Sequence, residues 1–192
     1  MANAWMREDA PDLAAERILD AAEKAFVELG VSGAGMAKIA TFAGCSRGTL
    51  YRYFESRHVL HLAYVERTAR RIVERVRLAI RGIEDPRERL VQGVLLALRE
   101  VRRNPGAAAW FEPGAAGIAA RMSRSSEVVD ALTTRFVAGL LGPRGAGRES
   151  RLRARWLVRV IVSLLTLPGA SRAEERALVE RFVAPSLLRE RS

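Results

Sequence analysis

The chain has 192 residues, one cysteine and a formal net charge of +10. One cysteine cannot build a disulfide framework or a thiolate metal cage. The longest apolar run, LVRVIVSLLTL at 157–167, is too short to cross a bilayer and carries Arg159, so it reads as a core helix. The length suits one helical domain or a small domain joined to a larger one. The charge is weak evidence for a partner, because Lys24 and Lys38 are the only lysines among 32 basic residues and arginine excess also follows from a GC-rich genome. Its distribution says more. Residues 7–29 hold three basic and seven acidic side chains, whereas 36–57 set Lys38, Arg47, Arg52 and Arg57 against Glu55 alone.

The opening stretch MANAWMREDAPDL lacks the basic start and apolar run of a secretory leader, so a cytoplasmic protein is expected. Periodicity is helical nearly throughout, with no convincing strand alternation, which predicts an all-α fold. A first helix should run from about Asp12, a cap following Pro11, to Leu29. It places Ile18, Ala22, Ala25, Phe26 and Leu29 on one face and stops at Gly30. A short helix near 36–43 turns Met36, Ile39, Ala40 and Ala43 inward. Gly44 then permits a tight turn, and Ser46 caps a third helix over about 47–54. Ser56 caps a long fourth helix reaching about Gly82. A short glycine turn between the second and third helices makes a helix-turn-helix unit. The expected division is residues 1–56 for this first domain and 57–192 for a second.

Asp85, Pro86 and Glu88 supply the cap, first-turn proline and N3 glutamate of a strong helix start, and Asn104-Pro105 ends that helix. Residues 105–124, rich in glycine and alanine, read as a looser segment. A helix from Ser125 or Ser126 to Leu141, the break GPRGAG at 142–147, and two last helices over about 148–167 and 172–190 complete the chain. The final helix opens on the capping box Ser171-Arg-Ala-Glu174, and Pro185 should kink or shorten it.

The third helix carries an unusual surface. Leu50 and Phe54, one turn apart, face the core. Opposite them fall Gly48 and Arg52, flanked by Thr49 and Tyr51, with Arg47 and Tyr53 nearer the edges. Each suits a DNA duplex. Gly48 lets the helix approach the groove closely, Thr49 can reach a phosphate or a thymine methyl group, and Arg52 can bind guanine O6 and N7. Tyr51 and Tyr53 offer hydroxyls to phosphates. Arg57 and Lys38 are placed to hold further phosphates, Arg57 aided by free amides at a helix start. Any one of these residues alone reads equally as the solvated side of a bundle; the combination points to DNA.

Residues 18–64, with AAEKAFVELG, KIATFAGCSRGTLYRYFESR and the long helix beyond, resemble the DNA-binding domain of the TetR family of bacterial transcriptional regulators. Gly30, Ile39-Ala40, Ala43-Gly44, Ser46, Gly48, Leu50-Tyr51, Tyr53-Phe54 and Arg57 fall at the family spacing. The resemblance implies an all-helical homodimer. Its N-terminal domain would read a double-stranded DNA operator, and its C-terminal domain would bind an inducer and pair through the last two long helices. Two departures stand out. Ala34-Gly35 replace the threonine the family has before the second helix, which removes a phosphate contact although glycine caps nearly as well. Cys45 replaces a valine, as a small buried hydrophobe.

For the second domain only physical arguments apply. Leu157, Val160, Ile161, Leu164, Leu165, Leu178, Val179 and Phe182 are the dimer-interface candidates, with ordinary core packing as the competing role. Trp110, Phe111, Met122, Phe136 and Trp156 are candidates for an effector pocket that Arg159 would complete for an anionic head group, suiting an apolar or amphipathic small molecule. Core packing, and snorkelling by Arg159, compete there too. His58 and His61 stand three apart on the fourth helix, but two ligands without a third make no metal site. No cofactor is expected. An enzyme would need a phosphate loop or a histidine paired with a nucleophile, and neither is present, so the expectation is a DNA-binding regulator, most simply a repressor released by an effector. A helical protein-interaction adaptor, or an activator without an inducer, is the alternative.

Overall fold

The computed structural model describes residues 11–142 and 147–188, and among them every regular element is helical. The elements are α1 (Pro11–Gly33), α2 (Met36–Ala43), α3 (Arg47–Tyr53), α4 (Arg57–Ala79), α5 (Pro86–Arg103), α6 (Pro105–Ala108), a 3-10 turn (Ala109–Phe111), α7 (Ala116–Ser125), α8 (Glu127–Leu141), α9 (Arg148–Thr166), α10 (Arg172–Leu178), a π-turn (Val179–Val183) and α11 (Ala184–Leu188). None is long and apolar enough to cross a membrane. Residues 143–146 of the expected break and the helix end expected at 190 lie outside the described residues.

Capping chemistry marks the element starts. Ser46, Ser56, Ser126 and Ser171 each accept a backbone N–H from the third residue onward, and Asp85 accepts those of Arg87 and Glu88. Each such cap is worth about 1 kcal/mol. Helical dihedrals in α1 break at Gly30, whose φ of 69° few residues other than glycine adopt.

Several expectations are corrected. Asp12 lies in the first turn of α1 and not at its cap. Leu29 is exposed, because the buried face of α1 runs through Ile18, Leu19, Ala22, Ala25 and Phe26 and has rotated past it. α4 stops at Ala79, since Ile80 turns into the core. Residues 105–124 are not loose: Asn104 caps α6 through Ala107 N–H, Pro105 takes the N1 place, and α7 follows. Pro185 stands in the last rod, made of α10, the π-turn and α11, where regular α-helix is interrupted and which is described as far as Leu188. The π-turn before it shifts the bonding, with Ala184 N–H reaching Val179 O, so the proline's missing donor is absorbed and helix resumes to Leu188.

Two cores form. One joins α1–α4 with the 3-10 turn and α7, burying Phe26, Ile39, Leu50, Leu60, Tyr64, Trp110 and Met122. The other joins α5, α8, α9 and the last rod around Leu90, Leu98, Leu157 and Val179. Phe111 packs against both.

Candidate nucleic-acid interface

The turn that sets α3 is built by Gly44, in the left-handed region at φ 64°. Its N–H reaches Thr41 O at 3.1 Å and Cys45 N–H reaches Ala40 O at 3.0 Å, closing the end of α2. Cys45 is half-buried, and burial pushes its thiol above the usual range, which suits a packing role. Ser46 then caps α3, accepting from Thr49 N–H at 3.0 Å and sharing a 2.9 Å hydrogen bond with the Thr49 hydroxyl. Leu50 is fully buried and Phe54 nearly so, which fixes the opposite face outward.

That outward face holds Arg47, Gly48, Tyr51 and Arg52, all exposed. Tyr53 is half-buried against the core, and the Arg52 guanidinium carbon lies 5.3 Å from its ring centroid, a cation–π contact that orients the arginine. Lys38 is exposed on α2, and neither it nor Arg47 nor Arg52 is taken up by an ion pair among the described residues. Thr49 is partly covered and engaged with the cap. Arg57 stands apart: its Nη2 donates to the carbonyls of Val31 and Ser32 at 2.6 and 2.7 Å, bonds within the protein where the sequence pointed to phosphate. At Gly48 a Cβ would meet only Ser46 Oγ, at an ordinary 3.7 Å, so nothing in the fold demands a glycine there. Gly35 likewise has open space and caps α2 without a side chain.

Inside the first core, which closes the N-terminal head, lies an aromatic cluster that the sequence did not disclose. Phe26 meets His61, Tyr64 and Trp110 edge-on at ring-centroid distances of 5.4, 5.0 and 5.3 Å, and Trp110 stacks on Tyr64 at 5.9 Å. Burial above all, then the charges of Arg57 and His58, lowers the His61 pKa to about 4, so the ring is neutral. His58 is exposed, and no group of three potential ligands that could hold a metal occurs among the described residues. Arg67, buried on α4, bonds Glu16, Asp20 and Glu23 of α1 at 3.0, 2.7 and 3.4 Å. Its side chain helps line a groove of about 500 Å³ between the two helices that none of the expected effector residues lines.

The expected effector residues do not meet in one place. Trp110 and Met122 are buried in the head core, Phe111 bridges the cores, and Phe136 packs in the second core against Gly93. Trp156 is exposed, donating Nε1–H to Ser186 Oγ at 3.2 Å, and Arg159 is exposed, donating to Arg155 O. Of the dimer candidates, Leu157, Leu164, Leu165 and Val179 are buried in their own core, Val160, Ile161 and Leu178 are partly buried there, and Phe182 is 64% exposed. The exposed large apolar side chains of this region are instead Leu152, Trp156 and Leu167 on the α9 side and Phe182 in the π-turn. The signal was present at i, i+4 and i+15, but α9 is apolar on so many sides that periodicity could not separate its inner from its outer face.

Comparison with known proteins agrees with this geometry. The family described as "Bacterial regulatory proteins, tetR family" matches residues 18–64. The HTH-type transcriptional regulator Rv1255c of Mycobacterium tuberculosis is 45% identical over 181 residues, 94% of this chain and 89% of that protein. Among solved structures, the TetR family repressor AlkX of a Dietzia strain, implicated in n-alkane biodegradation, superposes with a TM-score of 0.61 at 21% identity, covering 90% of this chain and 94% of that one. The regulator FadR of Bacillus subtilis, solved with stearoyl-CoA, gives 0.55 at 18% identity, covering 90% and 97%.

Proposed function

Because the chain belongs to the TetR family, whose members are DNA-binding transcriptional regulators and not enzymes, we propose that it is a homodimeric cytoplasmic repressor of a palindromic operator, released by a small-molecule effector. The observation that carries the DNA half is the face of α3, where Arg47 and Arg52, in no ion pair among the described residues, stand beside a glycine for which the fold itself has no need. Lys38, Arg47, Gly48, Thr49, Tyr51, Arg52 and Tyr53 are its contact residues. Two copies of α3 would enter successive major grooves about 34–36 Å apart.

The second copy would dock on the exposed apolar surface of α9 and the last rod, with Trp156 and Phe182 at its centre. For the effector, Phe111 and Phe136 remain the lining candidates between the second core and the head. Thr134, two residues from Phe136 on α8, has a buried hydroxyl with no partner among the described residues and would offer such a ligand a polar group. An apolar or amphipathic molecule fits that lining, and the n-alkane and stearoyl-CoA connections of AlkX and FadR make long hydrocarbon chains, acyl compounds among them, the first class to screen. Fluorescence anisotropy with the DNA flanking its own gene, at two salt concentrations, is the direct test. Sequence-selective binding that weakens with salt, and is lost in Arg52→Ala, is expected; no selective complex at low salt, with or without acyl compounds, would end this reading.

A further inference from the structure

The tail of α1 beyond Gly30 is held from two sides by residues that do not belong to the reading face. A helix end leaves carbonyls without intrahelical partners and gathers partial negative charge, and α1 has no basic residue in its own last turn. The missing cation comes from another helix. Arg57, the first residue of α4, donates from one nitrogen to both Val31 O and Ser32 O, and its buried Nε makes no hydrogen bond among the described residues. From the other side the Ser32 hydroxyl donates to Gly114 O at 2.8 Å, a bridge across 82 residues of sequence to the stretch just before α7.

The tail leads directly into α2, whose cap residue Gly35 offers no side-chain bond. The start of α2 is therefore located by the tail itself: Ala34 N–H bonds Gly30 O at 3.1 Å, Gly35 N–H bonds Gly33 O at 2.9 Å, and Ile39 N–H bonds Gly35 O at 3.0 Å. α3 rests on α2 through Leu50 and the Gly44 turn. A displacement of Val31 or Ser32 thus reaches the reading helix through a short chain of fixed contacts.

We propose that Arg57 and Ser32 are positioning residues for operator binding, setting the place of the α1 tail and hence of α2 and α3, without touching DNA. Arg57 commits Nη2 to protein carbonyls, and its Nε is buried away from the reading face. Ser32 ties the same tail to residues 112–115, so the segment beside Phe111 acts on the reading helices directly as well as through α4. The inference rests on the DNA-binding reading and names how that site is held.

The test uses the full-length protein and the variants Arg57→Gln, Arg57→Lys and Ser32→Ala. Without DNA, amide hydrogen exchange at Ala34, Gly35 and Ile39 should quicken at least tenfold in Arg57→Gln and measurably in Ser32→Ala, while amides of α5 and α9 keep their rates. Unchanged rates at those three amides in both variants would overturn the proposal. With operator DNA, Arg57→Gln should bind at least tenfold more weakly with the same slope of log affinity against log salt, and Arg57→Lys should not restore full affinity. A slope lower by about 0.9 in Arg57→Gln, restored together with affinity by Arg57→Lys, would make Arg57 a phosphate ligand instead and would equally overturn it. If the unaltered protein selects no operator, the DNA-binding reading fails by itself, and the exchange rates still decide whether these residues set the tail.

Discussion

Gly48→Ala separates what the fold needs from what DNA needs. Gly48 is not among the glycines with positive φ, and the added Cβ would find only an ordinary contact with Ser46 Oγ. Alanine is the better helix former, and near the start of a helix as short as α3 the gain is about 0.5 kcal/mol, the low end of the glycine penalty. In a chain of this size that raises the melting temperature by about 1–2 °C. On DNA the sign reverses. The methyl group would stand on the outward face beside Arg52, where base-edge contacts worth about 1–3 kcal/mol each depend on close approach. A loss of tenfold or more in operator affinity, about 1.4 kcal/mol, is expected, with an unchanged salt slope because no charge is removed. Thermal denaturation and anisotropy titration on one preparation measure both. Wild-type operator affinity in the variant would refute the close-approach argument, and a lowered melting temperature would refute the reading of free space around Gly48.

The folded His61 titrates near pH 4 against 6.5 for the free side chain, so the unfolded chain binds the extra proton first. Its contribution is complete above pH 6.5 and declines as pH falls toward 4; between pH 7 and 5 the loss is about 2 kcal/mol, and denaturant titrations should show His61→Phe losing correspondingly less. Trp156→Glu should yield a folded monomer by light scattering, whereas Leu157→Ala, one residue away but buried, should cost about 2–5 kcal/mol of stability and leave the dimer in place. Gly106→Ala should lower stability by about 1–3 kcal/mol in a thermal melt, because its Cβ would press on Glu23 and on the Tyr64 hydroxyl.

The helices of the head were legible because each boundary is local chemistry: Ser46 and Ser56 as caps, Gly30 and Gly44 as left-handed stops, Leu50 and Phe54 as the inward pair. The exposed face of α3 followed from its buried one. What could not be read locally is whatever joins distant segments. Nothing around Trp110 says that it fills the space between α1 and α4, and an alanine- and glycine-rich stretch gives periodicity little to count, so 105–124 read as loose. Arg57 shows the same limit at one residue. Its sequence position, on a helix start beside a cationic face, suits a phosphate, and only the three-dimensional path of α1 brings two carbonyls to its Nη2. On α9, buried Leu157 and exposed Trp156 are both large and apolar, and the pattern cannot tell which one meets its own core.

The way the head core is closed bears on how an effector can act. Among the described residues, 11–56 do not close their own core: Phe26 is sealed by His61 and Tyr64 from α4 and by Trp110 from the 3-10 turn, with Met122 of α7 in the same core. Burial raises the Tyr64 pKa and keeps His61 neutral, so this seal is uncharged at neutral pH. It also holds polar atoms without hydrogen bonds among the described residues, His61 Nε2, Tyr64 Oη and Trp110 Nε1, each of which lowers the advantage of this arrangement over a shifted one. A packing that is tight in its apolar contacts and unsatisfied in its polar ones is suited to two nearby states. Phe111 is adjacent to Trp110 and packs on both cores, so under the proposed function a ligand in the second core would bias that choice through it. The bias is bounded by the ligand's differential affinity for the two states, so a hundredfold weakening of operator binding requires about 2.7 kcal/mol of preference for the shifted packing.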